Sequence, residues 1–351
     1  MIHLPLPLAG EGLLIPINHF LAPKNLWKTA MNALVIQPLS AELPALPIED
    51  IDRAANFAKL DKAESTRAAY RSDFAIFRSW CASRGVCALP ATPETVAGFL
   101  AHQAESGLAA STISRRGAAI RYAHKLAGHE PPTNSEAVKA TLRGIRRAVG
   151  TAPKGRKAPM IAEIMHRVSR AAAFDLKGLR DRALLLLGFG GAFRRSELVA
   201  LNVEDVEFTD DGLRVTIRKS KTDQEGVGVA IAIVRGGACC PAKALREWLD
   251  AAKIESGPIF RPVRKANRVG DSRLTGKTVC VLVKVYAALI GLDATTIGAH
   301  SLRSGFLTSA ARRGASVLKM RDVSRHKSMD VLQSYVRDAD LFRDHAGAGL
   351  L

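Results

Sequence analysis

Apolar residues recur at intervals of three or four from about residue 65, which is the spacing of one face of a helix. In the first such stretch the apolar positions are Tyr70, Phe74, Phe77 and Cys81. Charged residues stand between them, namely Arg67, Arg71, Asp73 and Arg78. This pattern predicts an amphipathic helix with the first set of side chains in a core and the second set in water.

Three further helices are predicted before residue 150. Thr92 is a suitable N-cap because a proline follows it at the first helical position. Ser111 or Thr112 can cap the next helix, and Asn134 can cap the last one. The amino-terminal half of the chain is therefore expected to be all-helical.

The pattern changes after residue 200, where short β-prone runs replace the helical spacing. These runs are Val203 to Phe208, Leu213 to Arg218 and Val227 to Val234. Asp210, Asp211 and Gly212 supply a turn between the first two runs, and helical patterning resumes at Pro241. The carboxy-terminal half is thus predicted to place helices around a small three-stranded antiparallel sheet.

Together these patterns predict a mainly α fold with a small antiparallel β-sheet. Residues 55–148 are expected to form a helical domain, and residues 159–351 an α+β domain. Basic and turn-forming residues mark residues 149–158 as a linker. Residues 1–54 are expected to be a mostly disordered N-terminal segment.

Basic residues outnumber acidic ones, with 51 lysines and arginines against 33 aspartates and glutamates and a formal net charge of +18. This surplus favours a polyanionic partner, most often nucleic acid, although charge can also serve only to keep a protein soluble. Two basic helices that lead into a basic linker favour a surface that follows DNA phosphates. The candidate DNA-binding residues are Arg115, Arg116, Arg121, Lys125, Arg146, Arg147, Lys154, Arg156 and Lys157.

Five cysteines occur without a Cys-x-x-Cys pair or a Cys/His ligand spacing, which favours a reducing cytoplasm over a disulfide framework or a zinc site. The longest apolar stretch, Ala183 to Phe193, is much shorter than the roughly 20 residues of a membrane span. No carboxylate cluster suits a two-metal site, and no glycine-rich loop ends in Lys-Ser or Lys-Thr. We therefore expect no metal, no cofactor, no membrane partner and no small-molecule substrate.

The sequence contains four tyrosines, at positions 70, 122, 286 and 335. Tyr70 and Tyr286 occupy apolar helical positions typical of core packing, and Tyr122 lies on a predicted DNA-facing helix. Tyr335 differs because it follows His326 by nine residues, after several groups suited to binding phosphate. These groups are Arg194 in Phe-Arg-Arg-Ser-Glu-Leu, Lys221 in Lys-Ser-Lys-Thr-Asp, and His300 with Arg303 in His-Ser-Leu-Arg.

Each of these motifs is common by chance, but their order, with a tyrosine at the end, resembles the tyrosine recombinase (phage integrase) family and its Cre-like members. The resemblance covers roughly residues 55–345 and implies a SAM-like core-binding domain followed by a catalytic domain. It implies that Arg194 and Arg303 are the two catalytic arginines and that Tyr335 is the nucleophile. The other matched positions are Glu197, Lys221, His300 and His326.

The residue types suit attack on a phosphodiester. A tyrosine hydroxyl, with a pKa near 10, is a poor nucleophile unless a neighbour takes its proton, and His300 is the candidate for this role. Arg194 and Arg303 can hold the non-bridging oxygens, with a further bond from His326. Lys221 can protonate the departing 5′ oxygen.

Three further residues affect this interpretation. Lys219 competes with Lys221, which we favour because of its spacing from the hairpin. Glu197 is expected to orient His300 or Arg303. Arg325 stands where the family usually has glycine, so its side chain is expected to point outwards unless the turn differs.

The predicted function is that of a site-specific DNA recombinase or integrase, which cleaves and rejoins strands through a 3′-phosphotyrosyl intermediate. The resemblance implies double-stranded DNA as the partner and a homotetramer assembled on two DNA sites. We expect the two domains to clamp the duplex from opposite faces. The alternatives are a type IB topoisomerase or telomere resolvase with the same chemistry, and an inactive recombinase fold that serves as a sequence-specific DNA-binding regulator.

Overall fold

Helices account for most of the described chain and follow the apolar spacing of the sequence. The computed structural model describes residues 48–58, 61–152, 157–218 and 228–339, together with residues 341, 347 and 350. Contacts within the chain divide it into two units, Met1–Ala152 and Pro153–Leu351. Several residues singled out above lie outside the described ranges, namely Lys154, Arg156, Lys219 and Lys221, as do residues 1–47.

The amino-terminal unit is helical. The bounds of its helices are α1 Ile48–Ala58, α2 Glu64–Ala82, α3 Pro93–Glu105, α4 Ala110–Leu126 and α5 Glu136–Val149. Helices α2 to α5 turn their apolar faces towards one core. Phe77 of α2 and Phe99 of α3 are fully buried, with their ring centroids 5.0 Å apart. Ile113 and Ile120, seven residues apart on one face of α4, complete the same core.

Side-chain caps set the starts of two of these helices. Thr92 Oγ1 accepts the backbone N–H of Thr95 at 3.2 Å, so the predicted cap of α3 is confirmed. Helix α5 is capped by Ser135 instead of Asn134, because the Ser135 hydroxyl accepts a backbone N–H from the first turn at 3.3 Å. Asn134 instead lies in a short 3₁₀ turn just before this helix.

Two other helix starts differ from the predictions. Helix α4 begins at Ala110 without a side-chain cap, so Ser111 and Thr112 lie inside the helix. Helix α1 begins at Ile48, so residues 48–54 are helical although the sequence predicted a disordered segment as far as residue 54. Acidic side chains in the first turn of α1 favour this start, since they interact well with the positive end of the helix dipole.

The carboxy-terminal unit arranges helices around a small sheet, which confirms the predicted fold class. The strands are antiparallel in the order β1-β2-β3, with Val215 of the central strand paired to Val206 on one side and Ile231 on the other. The bounds are α6 Ala162–Ala171, α7 Leu176–Gly190, α8 Arg195–Ala200, β1 Val206–Thr209, β2 Gly212–Ile217, β3 Val229–Val234, α9 Pro241–Ala252, α10 Gly276–Leu289, α11 His300–Arg312, α12 Val317–Ser324 and α13 Met329–Ala339.

The first strand is shorter than the predicted run because Val203–Asp205 forms a 3₁₀ turn. The Asp205 carboxylate accepts the backbone N–H of Asn202 at 2.8 Å, which closes this turn before the strand begins. Gly212 then opens β2 with a φ of +145°. A Cβ there would lie 2.1 Å from the carbonyl oxygen of Ile233, so the hairpin requires glycine at this position.

Helix α7 runs through the main core of this unit. Its residue Leu184 is fully buried, as is Trp248 of α9, whose Nε1–H donates to the Ile259 carbonyl at 2.9 Å. Tyr286 of α10 is 7% exposed, and its hydroxyl donates to the buried Asp181 carboxylate at 3.3 Å. The predicted core position of Tyr286 is therefore confirmed.

The last three helices form a smaller apolar cluster. It contains Leu307 of α11, Met320 of α12 and Leu332 of α13, and Tyr335 packs against it. Leu332 is fully buried and lies almost one turn before Tyr335 on α13. The burial of Leu332 therefore sets the rotation of the helix that carries this tyrosine.

Candidate active site

Arg194 lies in the turn between α7 and α8, where a carboxylate three residues further on holds it. Its backbone N–H donates to Glu197 Oε2 at 3.0 Å, and its Nη1 donates to Glu197 Oε1 at 2.5 Å. Glu197 is only 2% exposed. The sequence had suggested that Glu197 orients His300 or Arg303, but its carboxylate bonds to Arg194 and to Arg325 instead.

Arg303 lies on the first turn of α11 and is 1% exposed. Its Nη1 donates to the Ala192 carbonyl at 2.6 Å, and its Nη2 lies 3.2 Å from both ring nitrogens of His326. Ala192 belongs to the turn that precedes Arg194. Arg303 therefore connects this turn with His326, and these polar contacts offset part of the cost of burying its charge.

A glycine sets the depth of α11 in the unit. A Cβ at Gly305 would lie 1.9 Å from the Met160 carbonyl oxygen, so no side chain fits there. The Met160 N–H also donates to the Ser301 carbonyl at 2.9 Å. Because α11 approaches this segment so closely, Arg303 is carried into the interior.

Arg325 ends helix α12 in the left-handed conformation, with a φ of +58°. Its side chain points inwards and is 6% exposed, which excludes the first of the two alternatives, an outward-pointing side chain. Its Nη2 donates to Glu197 Oε2 at 2.8 Å, and its Nη1 donates to the Gly191 carbonyl at 3.1 Å. The sequence motifs did not include Arg325 among the site residues. The feature of the sequence that could have identified it is that arginine stands where the family usually has glycine.

His326 follows directly and contacts two groups. Its Nδ1 lies 2.9 Å from the hydroxyl oxygen of Ser324, which is fully buried, and both of its ring nitrogens lie 3.2 Å from Arg303 Nη2. Burial, followed by the charge of Arg303, lowers the pKa of His326 to about 4. The same two causes lower the pKa of His300. Both imidazoles are therefore neutral at pH 7.

The remaining charges of the cluster are three guanidinium groups and one carboxylate. Burial, with smaller effects from Arg194 and Arg325, lowers the pKa of Arg303 to about 9, so this group stays protonated at neutral pH. Burial acts to raise the pKa of Glu197, but the charge of Arg325 and the bonds from Arg194 outweigh it and lower this pKa. The cluster therefore carries a surplus of positive charge, as a phosphate site requires.

His300 and Tyr335 line one groove of about 650 Å³ in the carboxy-terminal unit. His300 is the first residue of α11 and Tyr335 lies on α13, so the packing of these helices brings the two side chains to the same groove. Tyr335 is half-buried in this groove and packs against the apolar cluster of α11 to α13. Lys157 lines the same groove, and its Nζ donates to the Thr295 carbonyl at 2.6 Å.

Two arginines predicted to bind DNA pair with a buried carboxylate. Asp73 was predicted on a wet helix face, but it is 2% exposed, so this prediction is wrong. Arg115 donates to both Asp73 oxygens, at 2.7 and 3.1 Å, and Arg116 Nε lies 3.8 Å from the same carboxylate. Arg115 keeps 52% of its side chain exposed but Arg116 only 14%, so Arg115 has the larger surface available to a partner.

The exposed residues Arg121 and Lys125 of α4 line a cavity of about 470 Å³. Tyr70 and Tyr122 line it as well, with ring centroids 5.5 Å apart. Tyr70 is thus only partly buried at this cavity, although the sequence had predicted it for the core. His124, between the two basic residues, is fully buried and accepts the Ala91 N–H at 2.9 Å.

The last described candidates are Arg146 and Arg147, which are exposed on α5. Arg146 Nη2 donates weakly to the Ser114 hydroxyl at 3.4 Å. This bond connects α5 to α4, the helix that carries Arg121 and Lys125. The exposed DNA-binding candidates Arg121, Lys125, Arg146 and Arg147 therefore lie on two neighbouring helices.

Within the described ranges, no group of three or more His, Cys, Asp or Glu side chains is arranged to hold a metal ion. The helices in this part of the chain also lack the combination of length and apolarity needed to cross a bilayer. The five cysteines are free thiols, and they are Cys81, Cys87, Cys239, Cys240 and Cys280.

Comparison with known proteins identifies both units. The Phage integrase family matches residues 158–341, and the phage integrase N-terminal SAM-like domain matches residues 57–130. An integrase/recombinase xerD homolog of Selenomonas ruminantium is 41% identical over 293 residues, which cover 81% of this chain and 85% of that protein. Recombinase cre of Escherichia phage P1 is 23% identical over 328 residues, which cover 85% of this chain and 93% of that protein.

Solved structures share the fold. The XerH site-specific recombinase bound to palindromic difH substrate, in a post-cleavage complex, gives a TM-score of 0.62 at 15% identity and covers 86% of this chain and 83% of its own. A lambda integrase dimer bound to a COC′ core site gives 0.56 at 19% identity, with 84% and 77% covered. These matches confirm the resemblance read from the motifs. The chain therefore belongs to the phage integrase family of tyrosine recombinases, enzymes that transfer DNA strands at specific sites.

Proposed function

We propose that this chain cleaves DNA with Tyr335 as the nucleophile and rejoins strands from a 3′-phosphotyrosyl intermediate. The observation that carries the assignment is that Tyr335 and His300 line one groove, while the charges of Arg303 and Arg194 act on His300 and Arg303 meets His326 at 3.2 Å. A surplus of positive charge, a hydroxyl and a neutral base are the groups that attack on a phosphodiester needs.

In this mechanism the Tyr335 oxygen forms a bond to phosphorus while the bond from phosphorus to the 5′ oxygen breaks. The hydroxyl proton passes to His300, whose lowered pKa keeps the imidazole free to accept it at neutral pH. The departing 5′ oxygen takes a proton from Lys221, the role that the family resemblance implies. The phosphotyrosyl bond retains the energy of the phosphodiester, so a 5′ hydroxyl can reverse the step without ATP.

Arg194, Arg303 and His326 stabilise the charge that develops on the non-bridging oxygens. Each guanidinium offers five N–H donors, and Arg303 commits only part of them to Ala192 and His326. A buried cation interacts with the phosphate more strongly than an exposed one, because water screens it less. The burial of Arg303 therefore strengthens its interaction with the negative charge that develops on the phosphate in the transition state.

Double-stranded DNA is the proposed partner, and we infer a homotetramer on two DNA sites as the working assembly. The exposed basic residues of the amino-terminal unit support DNA binding. Solved relatives with the same fold include a lambda integrase dimer on a core site and XerH on difH. Free thiols throughout the chain favour a reducing compartment, so we infer that the enzyme acts in the cytoplasm.

Covalent trapping tests this function. Duplexes are selected by binding to the chain from fragmented host DNA, and sets nicked at successive positions are incubated with the protein. We expect an adduct in which the protein is attached to the 3′ end of the cleaved strand, because the intermediate is a 3′-phosphotyrosine. A plasmid with two copies of the selected site should also yield recombinant circles.

Three results contradict the proposal in different ways. Binding without an adduct on any nicked duplex would identify a DNA-binding regulator instead of an enzyme. Adduct formation and supercoil relaxation without recombinant circles would identify a topoisomerase-like activity. A 5′-linked adduct would exclude the proposed direction of attack.

The cavity lined by Arg121 and Lys125 predicts that substitution of either residue weakens the salt dependence of DNA binding. Arg121→Ala and Lys125→Ala each remove one proposed phosphate contact, so each should reduce the slope of log affinity against log salt by about 0.9. Lys243→Ala is a matched control, because Lys243 is a 77% exposed lysine on α9 outside the proposed surface. Fluorescence anisotropy with the selected duplex at several salt concentrations measures these slopes, and equal slopes for all variants would exclude both contacts.

A further inference from the structure

Arg325 occupies a backbone conformation that glycine adopts more easily. It follows the last residue of α12 with a φ of +58° and a ψ of +39°. This left-handed geometry is unfavourable for a residue with a side chain. The contacts of the Arg325 side chain must therefore offset the cost of its backbone conformation.

Those contacts join Arg325 to the turn between α7 and α8. Its Nη2 donates to Glu197 Oε2 at 2.8 Å and to the Ala192 carbonyl at 3.3 Å. Its Nη1 donates to the Gly191 carbonyl at 3.1 Å. The guanidinium carbon also lies 5.2 Å from the ring centroid of Phe193, within the range of a cation–π interaction.

The connection runs in both directions. Arg194 Nη2 donates to the backbone carbonyl of Arg325 at 3.5 Å. The Ala192 carbonyl that accepts from Arg325 also accepts from Arg303 at 2.6 Å. Arg303 in turn lies 3.2 Å from His326, which directly follows Arg325. The buried Arg325 guanidinium therefore joins the segment that carries His326 to the turn that carries Arg194. Through the shared Ala192 carbonyl it is also linked to Arg303.

We propose that Arg325 is a positioning residue for strand cleavage, which locks His326 and the Arg194 turn into one arrangement and holds the Glu197 carboxylate beside Arg194. The inference rests on the proposed function, in which Arg194 and Arg303 bind the reacting phosphate. Both terminal nitrogens of Arg325 donate to protein acceptors, Nη1 to the Gly191 carbonyl and Nη2 to Glu197, so we assign Arg325 to positioning these neighbours.

The pH dependence of cleavage distinguishes this role from general support of the fold. The charged groups that face Glu197 are Arg194 and Arg325, with Arg303 further away. Burial raises the pKa of Glu197, and the charge of Arg325 is the largest effect that lowers it. Without Arg325 the carboxylate takes up a proton at higher pH and no longer holds Arg194 as an ion. Both proteins lose activity on acidification as His300 takes up a proton. Because Glu197 of Arg325→Gly is protonated at higher pH, cleavage by this variant should fall further than wild-type cleavage in the acidic range.

The test measures single-turnover cleavage of the selected nicked duplex across the acidic and neutral range. We expect Arg325→Gly to cleave about 10- to 100-fold more slowly than wild type at neutral pH, the range found when a group that orients a metal ligand is removed, because Arg325 orients the phosphate-binding groups in the same indirect way. DNA affinity should not change. Arg325→Lys keeps a positive charge beside Glu197 but cannot reach several acceptors at once, so it should restore the pH dependence and only part of the rate.

Lys253→Gly provides a matched control. Lys253 also has a positive φ, of +53°, and it is an exposed residue at the end of α9. Glycine removes the unfavourable backbone conformation at Lys253 as it does at Arg325. Lys253, however, lies outside the cluster of arginines and Glu197. Its rate and pH dependence should equal those of wild type.

Each contrary outcome has a distinct meaning. An Arg325→Gly variant with wild-type rate and pH dependence would overturn the inference while the proposed function stands. A slower variant with an unchanged pH dependence and a lowered unfolding temperature would also overturn it, since Arg325 would then serve the fold alone. A wild-type protein that forms no adduct with any selected duplex would remove the proposed function and this inference together.

Discussion

Tyr335→Phe is expected to abolish the covalent protein–DNA adduct. The substitution removes one oxygen atom and keeps the ring that packs against the cluster of α11 to α13. Folding and DNA binding should therefore change little, while the group that forms the phosphotyrosyl bond is lost. Denaturing electrophoresis of the nicked duplex after incubation with protein measures the adduct. A hydroxyl supplied by a neighbouring subunit would not rescue the reaction, because every copy in the assembly carries the variant.

Tyr286→Phe is the matched control for this experiment. It removes a hydroxyl from the same unit, where Tyr286 donates to the buried Asp181 carboxylate. This variant should still form the adduct, although loss of the hydrogen bond lowers its stability. Mass spectrometry of the wild-type adduct should identify a nucleotide attached to the peptide that contains Tyr335. An adduct that persists in Tyr335→Phe would exclude this residue as the nucleophile.

Arg303→Lys is expected to lower the rate of strand cleavage by about 100- to 1000-fold, the typical cost of losing one positioned transition-state donor. Lysine keeps the charge, so the long-range attraction of DNA should be retained. Its single ammonium group cannot contact the Ala192 carbonyl, His326 and a phosphate oxygen in the way the planar guanidinium does. Single-turnover cleavage and equilibrium binding of the same nicked duplex separate the two effects.

Arg182→Lys controls for the loss of a structural arginine. Arg182 donates to the Ser169 and Ala172 carbonyls at 3.2 and 2.9 Å, so this substitution also breaks side-chain to backbone bonds. Its cleavage rate should stay close to that of wild type. If Arg303→Lys cleaves as fast as this control, Arg303 does not stabilise the transition state. If it loses DNA affinity in proportion to rate, Arg303 contributes ground-state binding instead.

Features that depend on neighbouring residues were predictable from the sequence. Helical spacing predicted the buried positions Phe74, Phe77 and Cys81 of α2, and Thr92 predicted the start of α3. The turn before Gly212 predicted the hairpin of the sheet, since its chemistry lies within a few residues. The order of the motifs predicted family membership, because each phosphate-binding group lies in a short segment that can be recognised from adjacent residues.

The partners of the charged side chains were not predictable in this way. Asp73 is buried because Arg115, 42 positions further on, bonds to it. Arg325 points inwards because Glu197, 128 positions earlier, accepts its guanidinium. Spacing along one helix reports the direction of a side chain but not the group that packs opposite it, and a charge can be buried only where such a partner is present. Residue order thus establishes which groups the enzyme possesses, whereas the packing of distant segments establishes which of them meet.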